Sequence, residues 1–428
     1  MPPTYRLERA PQAQVEAPRL DAAQRRVVDH PAGPLLVLAG PGTGKTTTLV
    51  EAVVDRIEHR GLDPDDVLVL TFSRKAAEEL RHRITGRLGR TSSTLMSSTF
   101  HSFCYALLRR WQPAELYAAP LRLLSAPEQD VRLRDLLRHS GETGLAAWPA
   151  VLDKALSAKG FAREVHAVLS RARELGLEPA DLRRTGLDAG RPEWVAAGAF
   201  MDEYLTVLDF EGALDYSELI HRAVLLAETP EVAAALRGQF RAVFVDEYQD
   251  TDPSQVRLLR ALAGDGRDLT VVGDPDQSIY AFRGADVRGI LDFPTAFPHA
   301  DGRPADVVAL RTTRRFGARL LTASRRVAAG IGIRGSIDRD TFESFRHPSA
   351  DAGAVGDGRV DVLTFSSSGA ETDHICDLLR RAHLEDGIAW SQMAVLVRSG
   401  LTTIPGLRRA LVAGGVPVEV AGDEVPLR

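Results

Sequence analysis

Apolar residues near the start of this chain come in short unbroken runs, and each run is followed by a stretch of helical spacing. Residues 35–39 read LLVLA and lead into GPGTGK at 40–45, after which TTTLVEAVVDRIEHR places apolar residues three and four apart. That order predicts a buried strand, a phosphate-binding loop and a helix. DDVLVLTF (65–72) reads as a second buried strand and SRKAAEELRHRITGRLG (73–89) as its helix. SSTFHSFCYALLRRW (97–111) then gives a short strand end running into a third helix. Buried strands alternating with helices predict an α/β fold with a largely parallel sheet covered on both faces.

From 112 to 215 the texture changes to Leu, Ala, Arg and Glu at helical spacing, broken at Pro127, Gly141, Gly144, Pro149, Gly160 and Gly176. A helical insertion without a fixed repeat is expected there. The strand-and-helix rhythm resumes with FRAVFVDEYQDT (240–251), a helix over 252–264 and DLTVVGDPDQSIYAFRGA (268–285). Ligands of open α/β sheets gather at the carboxyl ends of such strands. A boundary is expected near 298–305 (PHADGRPA). Beyond it VVALRTTRRFG, LLTASRRVAAG, VDVLTF, TDHICDLLRRAH and AVLVRSG look like a second α/β domain.

Composition adds limits. With 428 residues, 44% apolar and 26% charged, the chain is long enough for two or three domains. No apolar run reaches the roughly 18 residues that a membrane span needs. The first 19 residues read as a loose leader and not a signal peptide, so no membrane association and a cytoplasmic location are expected. Cys104 and Cys376 are too few and too far apart for a disulfide framework or a metal cluster. The net charge of −5 argues against a globally basic nucleic-acid binder, but not against a protein that holds a strand in one lined channel.

The chemistry concentrates in three places. In Ala39-Gly40-Pro41-Gly42-Thr43-Gly44-Lys45-Thr46 the loop amides converge at a helix N-terminus, which suits an anion. Lys45 would meet the β and γ phosphates, and Thr46 would place its hydroxyl on Mg2+. The pattern departs from G-x-x-x-x-G-K-[ST] at one position, where Ala39 replaces the first glycine. Lys45 is one of four lysines in an arginine-rich chain, which suggests that a flexible point charge is required there. Asp246 is placed to hold the Mg2+ water shell and Glu247 to orient and deprotonate an attacking water. Alone, DEYQD also admits the lesser reading of an acidic loop on a surface turn. Gln277 could sense the γ-phosphate, although a glutamine in a loop is usually just solvated.

Together these segments resemble a superfamily 1 DNA helicase of the UvrD/Rep/PcrA kind, from about residue 20 onward. Leu20-Asp21-Ala22-Ala23-Gln24 is similar to that family's glutamine motif, which implies that Gln24 contacts adenine. Thr71-Phe72-Ser73-Arg74-Lys75 and Thr99-Phe100-His101-Ser102-Phe103 resemble segments that line the path of single-stranded DNA. Val245–Thr251 and Val272–Ala285 match two further motifs. The resemblance assigns Phe72, Arg74, His101, Tyr280, Phe282 and Arg283 to the strand: the aromatics would stack on bases, while Arg283 and His101 meet phosphates. Each aromatic could equally be core.

The run Thr313-Arg314-Arg315-Phe316 stands where the family carries Asn-Tyr-Arg-Ser. Aligned on the arginine, Arg315 is the candidate arginine finger reaching across a cleft, and Arg314 occupies the adenine-stacking position. Asp215-Tyr216-Ser217-Glu218-Leu219 also resembles a family segment, of open role.

The resemblance implies a RecA-like P-loop NTPase domain over 20–111 and 216–300. The insertion at 112–215 interrupts it, and a partial second RecA-like domain at 301–428 follows. The family's last motifs do not occur, so the chain is expected to be a fragment or a truncated product. The leader and the Thr-Arg-Arg run further resemble the first subunit of the actinobacterial heterodimeric helicase–nuclease. The implied function is an ATP- and Mg2+-dependent 3'-to-5' translocase or helicase in DNA repair. Its partners would be single-stranded DNA, duplex junctions and a second helicase–nuclease subunit. The alternative is an ATP- and DNA-binding structural or regulatory subunit with little turnover.

Overall fold

The run at 34–39 is apolar throughout because β1 (Pro34–Ala39) is an interior strand, and all six of its residues are buried. The computed structural model describes residues 16–89, 96–111, 122–143, 146–280, 284–331, 335–351 and 356–420. Along the chain follow β2 (Val67–Thr71), β3 (Met96–Thr99), the two-residue β4 (Arg122–Leu123) and β5 (Ala213–Leu214), β6 (Ala242–Val245) and β7 (Asp268–Gly273). β8 (Asp306–Leu310), β9 (Thr312–Thr313) and β10 (Ser349–Ala350) complete the set. Six of them form one parallel sheet in the order β3-β2-β6-β7-β1-β8. The fold is therefore α/β, with the parallel-sheet core of a RecA-like P-loop NTPase.

Side chains of β1 alternate between two cores. Leu35, Val37 and Ala39 pack under α1 (Ala22–Val28), α2 (Lys45–Glu58) and α3 (Arg74–Leu88). Leu36 and Leu38 face the core that includes α4 (Phe100–Trp111). Each of these buried leucines is worth roughly 1.5–3 kcal/mol over exposure.

The helical segment expected after 111 contains α5 (Ala126–Thr143), α6 (Lys159–Glu174), α7 (Pro179–Asp188) and α8 (Pro192–Phe210). Leu133, Leu137, Leu169, Phe200, Met201 and Leu208 give it a core of its own. Its ends meet where β4 and β5 pair, Leu123 opposite Leu214. Beside that neck Asp215 accepts hydrogen bonds from the Tyr204 hydroxyl (2.9 Å), Gln129 Nε2 (2.9 Å) and the Glu218 amide (2.8 Å). The chain returns through α9 (Tyr216–Glu228), α10 (Pro230–Gln239) and α11 (Pro253–Ala263) to the short α12 (Arg288–Leu291) and α13 (Phe293–Ala296).

Two expectations need correction. β8, expected to open a second domain, pairs in parallel with β1, Val37 opposite Val308, and forms an edge of the first sheet. The Pro- and Gly-rich run before it is a turn closed by His299 and Arg303, whose backbones hydrogen-bond at 2.8 Å, and not a linker. Composition marks both kinds of segment alike. Likewise α14 (Ala318–Ala328), α15 (Arg339–Arg346) and the β9–β10 pair belong to the first compact unit, which extends to Gly358.

The unit from Arg359 onward contains α16 (Ser368–Leu384) and α17 (Gly400–Ala413). VDVLTF and AVLVRSG, expected as strands, have no strand partner among the described residues. Val362 (88%) and Leu396 (93%) are exposed. An extended segment becomes a strand only when a neighbour satisfies its backbone groups.

Candidate functional site

The phosphate loop joins β1 to α2 at the carboxyl edge of the sheet. Gly42 and Gly44 have φ of +75° and +88°, which side chains with a Cβ tolerate poorly. There is no room for one either: a Cβ on Gly42 would lie 2.4 Å from Arg315 Cβ, and one on Gly44 2.6 Å from Gln24 Nε2. Ala39, where a glycine was expected, is the last residue of β1, paired with Leu310 in ordinary strand geometry. That explains why alanine serves there. Pro41 carries the carbonyl that accepts from Thr313 Oγ1 (2.9 Å), and Gly40 the one that accepts from Thr43 Oγ1 (2.7 Å). Gly44 caps α2 without a side chain, so the first-turn amides of α2, which include Thr46, keep their donors for an anion.

At the ends of the central strands a chain of polar contacts begins on Lys45. Its Nζ lies 3.0 Å from Glu247 Oε2, which also accepts from Gln249 Nε2 at 2.8 Å. Gln249 Oε1 accepts from the Asp274 amide at 2.9 Å, and Asp274 Oδ2 accepts from Gln277 Nε2. The tips of β6 and β7 are thereby linked to the phosphate loop. Glu247 has φ +51°, a left-handed conformation that costs a non-glycine residue energy and is characteristic of functional sites. Gln249, which carried no role in the sequence reading, is the hub of this chain. Its signal was its place two residues after Glu247 in a run already marked as acidic.

Carboxylates crowd this edge. Burial, then the charge of Glu247, pushes Asp246 up to about 6 against the pull of Lys45. Burial likewise raises Asp274 to about 6, against its bond from Gln277 and the charge of Lys45. Asp250 rises to about 6 for the same first reason, with Glu247 adding to it. A hard cation would relieve this repulsion. Among the described residues no group of three or more His, Cys, Asp or Glu could hold a metal by itself. One carboxylate and one hydroxyl, Asp246 and Thr46, fit Mg2+, which keeps several waters and shares phosphate oxygens.

Asp252 is the N-cap of α11, accepting from the Gln255 amide at 2.9 Å, and burial pushes it up to about 7. In the unfolded chain it would ionise near 3.9. Between those values the folded state keeps a proton that the unfolded state has released, so stability falls as pH rises from about 4 to about 7. Asp252→Asn keeps a good cap and removes that loss. Its gain in melting temperature over the parent should be larger at pH 8 than at pH 5; equal gains would contradict the assignment.

Gln24 is buried under the phosphate loop. Its Oε1 accepts from the Asp21 amide (3.0 Å) and its Nε2 donates to the Thr43 carbonyl (3.3 Å). Arg314 donates from Nη2 to Asp21 Oδ2 at 3.0 Å, and its amide donates to the Gly42 carbonyl at 2.9 Å. Gln24, Asp21 and Arg314 thus adjoin one side of the loop. Arg315 is exposed beside Gly42 and has no hydrogen bond or ion pair among the described residues. Because β8 belongs to the same sheet, Arg315 is carried by the same compact unit as Lys45, and not by a separate domain as expected.

Of the residues assigned to the strand, Phe72 follows β2 and stacks on Tyr280 with centroids 4.8 Å apart and planes at 25°. Arg74 opens α3. His101 lies edge-on to Tyr216 at 5.2 Å. Burial, then the Arg74 charge, pushes His101 down to about 4, so the ring is neutral near pH 7. Tyr216, 40% exposed, belongs to the segment Asp215–Leu219 whose role the sequence left open, and it joins this edge. Phe282 and Arg283 lie outside the described residues.

A family model described as the UvrD/REP helicase N-terminal domain matches residues 20–298. The ATP-dependent DNA helicase UvrD1 of Mycobacterium tuberculosis is 32% identical, covering 94% of this chain and 50% of its own length. The ATP-dependent DNA helicase PcrA of Staphylococcus aureus is 32% identical over 66% of this chain and 37% of its own length. The chain spans half or less of these relatives. No helix among the described residues is long and apolar enough to cross a membrane.

Proposed function

Since this chain belongs to the UvrD/Rep helicase family, we propose that it binds ATP with Mg2+ and couples hydrolysis to 3'-to-5' movement along single-stranded DNA during repair. The observation that carries this reading is the contact chain from Lys45 through Glu247 and Gln249 to Asp274 and Gln277. It joins the phosphate loop to the strand end whose continuation bears Tyr280, so a change at one has a short covalent and hydrogen-bonded route to the other. The polarity and the repair role rest on family membership.

In this reading the loop amides of Gly40–Gly44 and Lys45 hold the phosphates, and Asp246 and Thr46 place the metal. Mg2+ supplies neutralisation of charge that develops on the phosphate oxygens. Glu247 takes the proton of the attacking water. Gln277, held by Asp274, would sense the γ-phosphate or the attacking water, and Arg315 would stabilise charge on the transferred group. Gln24, with Arg314 beside it, would meet the base.

Steady-state ATP hydrolysis with and without oligo(dT) tests the proposal, together with release of streptavidin from either end of a biotinylated strand. Stimulation by DNA and faster release from the 5' end are expected. Slow hydrolysis indifferent to DNA, with nucleotide and oligo(dT) both still bound, would leave an ATP- and DNA-binding subunit of low turnover. The Phe72–Tyr280 stack would open to receive a base. Base stacking on an aromatic is worth about 1–3 kcal/mol, so Phe72→Ala should weaken oligo(dT) binding by roughly 5- to 150-fold. Unchanged fluorescence anisotropy titrations would return Phe72 to the core.

A further inference from the structure

Away from the phosphate loop, the carboxyl end of the insertion helix α6 meets the chain that follows Tyr280. Arg171 Nη1 donates to the Gly284 carbonyl at 3.4 Å and to Glu174 Oε2 at 3.1 Å, and its Nη2 stands 3.7 Å from Asp286 Oδ2. Glu174 closes the contact: a Cβ on Gly284 would lie 2.1 Å from Glu174 Oε1. The helix end is itself anchored. Ser254 Oγ donates to the carbonyls of Arg173 (3.2 Å) and Glu174 (2.9 Å) and so ties α6 to α11. From the opposite side the Asp286 amide donates to the Thr251 carbonyl at 3.1 Å, and the Ala285 amide to the Tyr280 carbonyl at 3.3 Å.

The segment 284–286 is thus held between the DEYQDT run of the nucleotide site and the helical insertion. A guanidinium suits this position, because one planar group reaches a carbonyl and two carboxylates at once.

We propose that Arg171, braced by Glu174, is a positioning residue that fixes residues 284–286, so that the helical insertion sets how tightly single-stranded DNA engages the motor. The DNA part of this inference rests on the function proposed above; the contact itself does not.

The test compares Arg171→Ala and Arg171→Lys with the parent chain. In oligo(dT) titrations of ATP hydrolysis, Arg171→Ala should raise the half-saturating DNA concentration about tenfold, the loss expected for a charge-assisted hydrogen bond. The DNA-free rate and the rate at saturating DNA should stay at the parent's values, and Arg171→Lys should recover part of the affinity. Hydrogen exchange at the Ala285 and Asp286 amides, measured without DNA, should accelerate about tenfold in Arg171→Ala. Exchange unchanged from the parent overturns the proposal. So does an unchanged half-saturation in a chain that DNA stimulates. A parent chain that DNA does not stimulate refutes the translocase reading, while exchange still decides whether Arg171 holds the segment.

Discussion

Replacing Glu247 by glutamine is expected to slow ATP turnover by about 10²–10⁴-fold, the range for loss of a general base, while nucleotide binds at least as tightly as before. Tighter binding follows from the resting contact. Glu247 Oε2 lies 3.0 Å from Lys45 Nζ and occupies the cation that the phosphates need. A neutral side chain releases Lys45 and removes a negative charge facing a polyanion. The same change should draw Asp246 down from about 6, because the Glu247 carboxylate is one of the two groups that raise it. Gln249 Nε2 can still donate to an amide oxygen at position 247, so the contact chain survives. Single-turnover hydrolysis and equilibrium binding of a fluorescent ATP analogue separate the two effects. Turnover within tenfold of the parent would place the base elsewhere.

Arg315→Ala should be at least as damaging, since an arginine finger contributes about 10³–10⁵-fold to turnover. Thr313 Oγ1 and the Arg314 amide fasten this run to the carbonyls of Pro41 and Gly42, each at 2.9 Å. Arg315 therefore starts from a fixed root beside the phosphate loop with its guanidinium unengaged by the described residues. Arg315→Lys should rescue little, because a point charge lacks the planar fork. Since the unit that carries Lys45 also carries Arg315, hydrolysis without DNA should fall together with DNA-stimulated hydrolysis. A variant that loses only the stimulated rate would show that Arg315 acts after the strand is engaged.

Much of this site is legible in sequence because its chemistry is local. Strand, glycine loop and helix are consecutive, and Asp246–Glu247 sit at the tip of an apolar run that can only be an interior strand. What escapes is the non-local part. Sequence cannot show that β8 lies against β1, because nothing in VVAL distinguishes an edge of the first sheet from the start of a second. For the same reason Arg315 is assigned to a separate domain when read along the chain. The role of Gln249 is hidden by its acidic neighbours, and the contact of Tyr216 with the His101 ring by the more than a hundred residues between them. The neutrality of His101 depends on burial and on Arg74, neither of which a motif carries.

The order β3-β2-β6-β7-β1-β8 also governs how the protein is made. β1 leaves the ribosome before every other strand of its sheet, yet Leu35 pairs with Thr270 on one side and Asp306 on the other. At a synthesis rate of roughly 5–20 residues per second, some 10–50 s pass before its first neighbour exists. Throughout that interval an entirely apolar segment has no sheet to enter. Within its sheet, the strand that delivers the phosphate loop is thus the earliest to be synthesised and among the last to be secured, which makes it a natural client for a chaperone acting on the nascent chain.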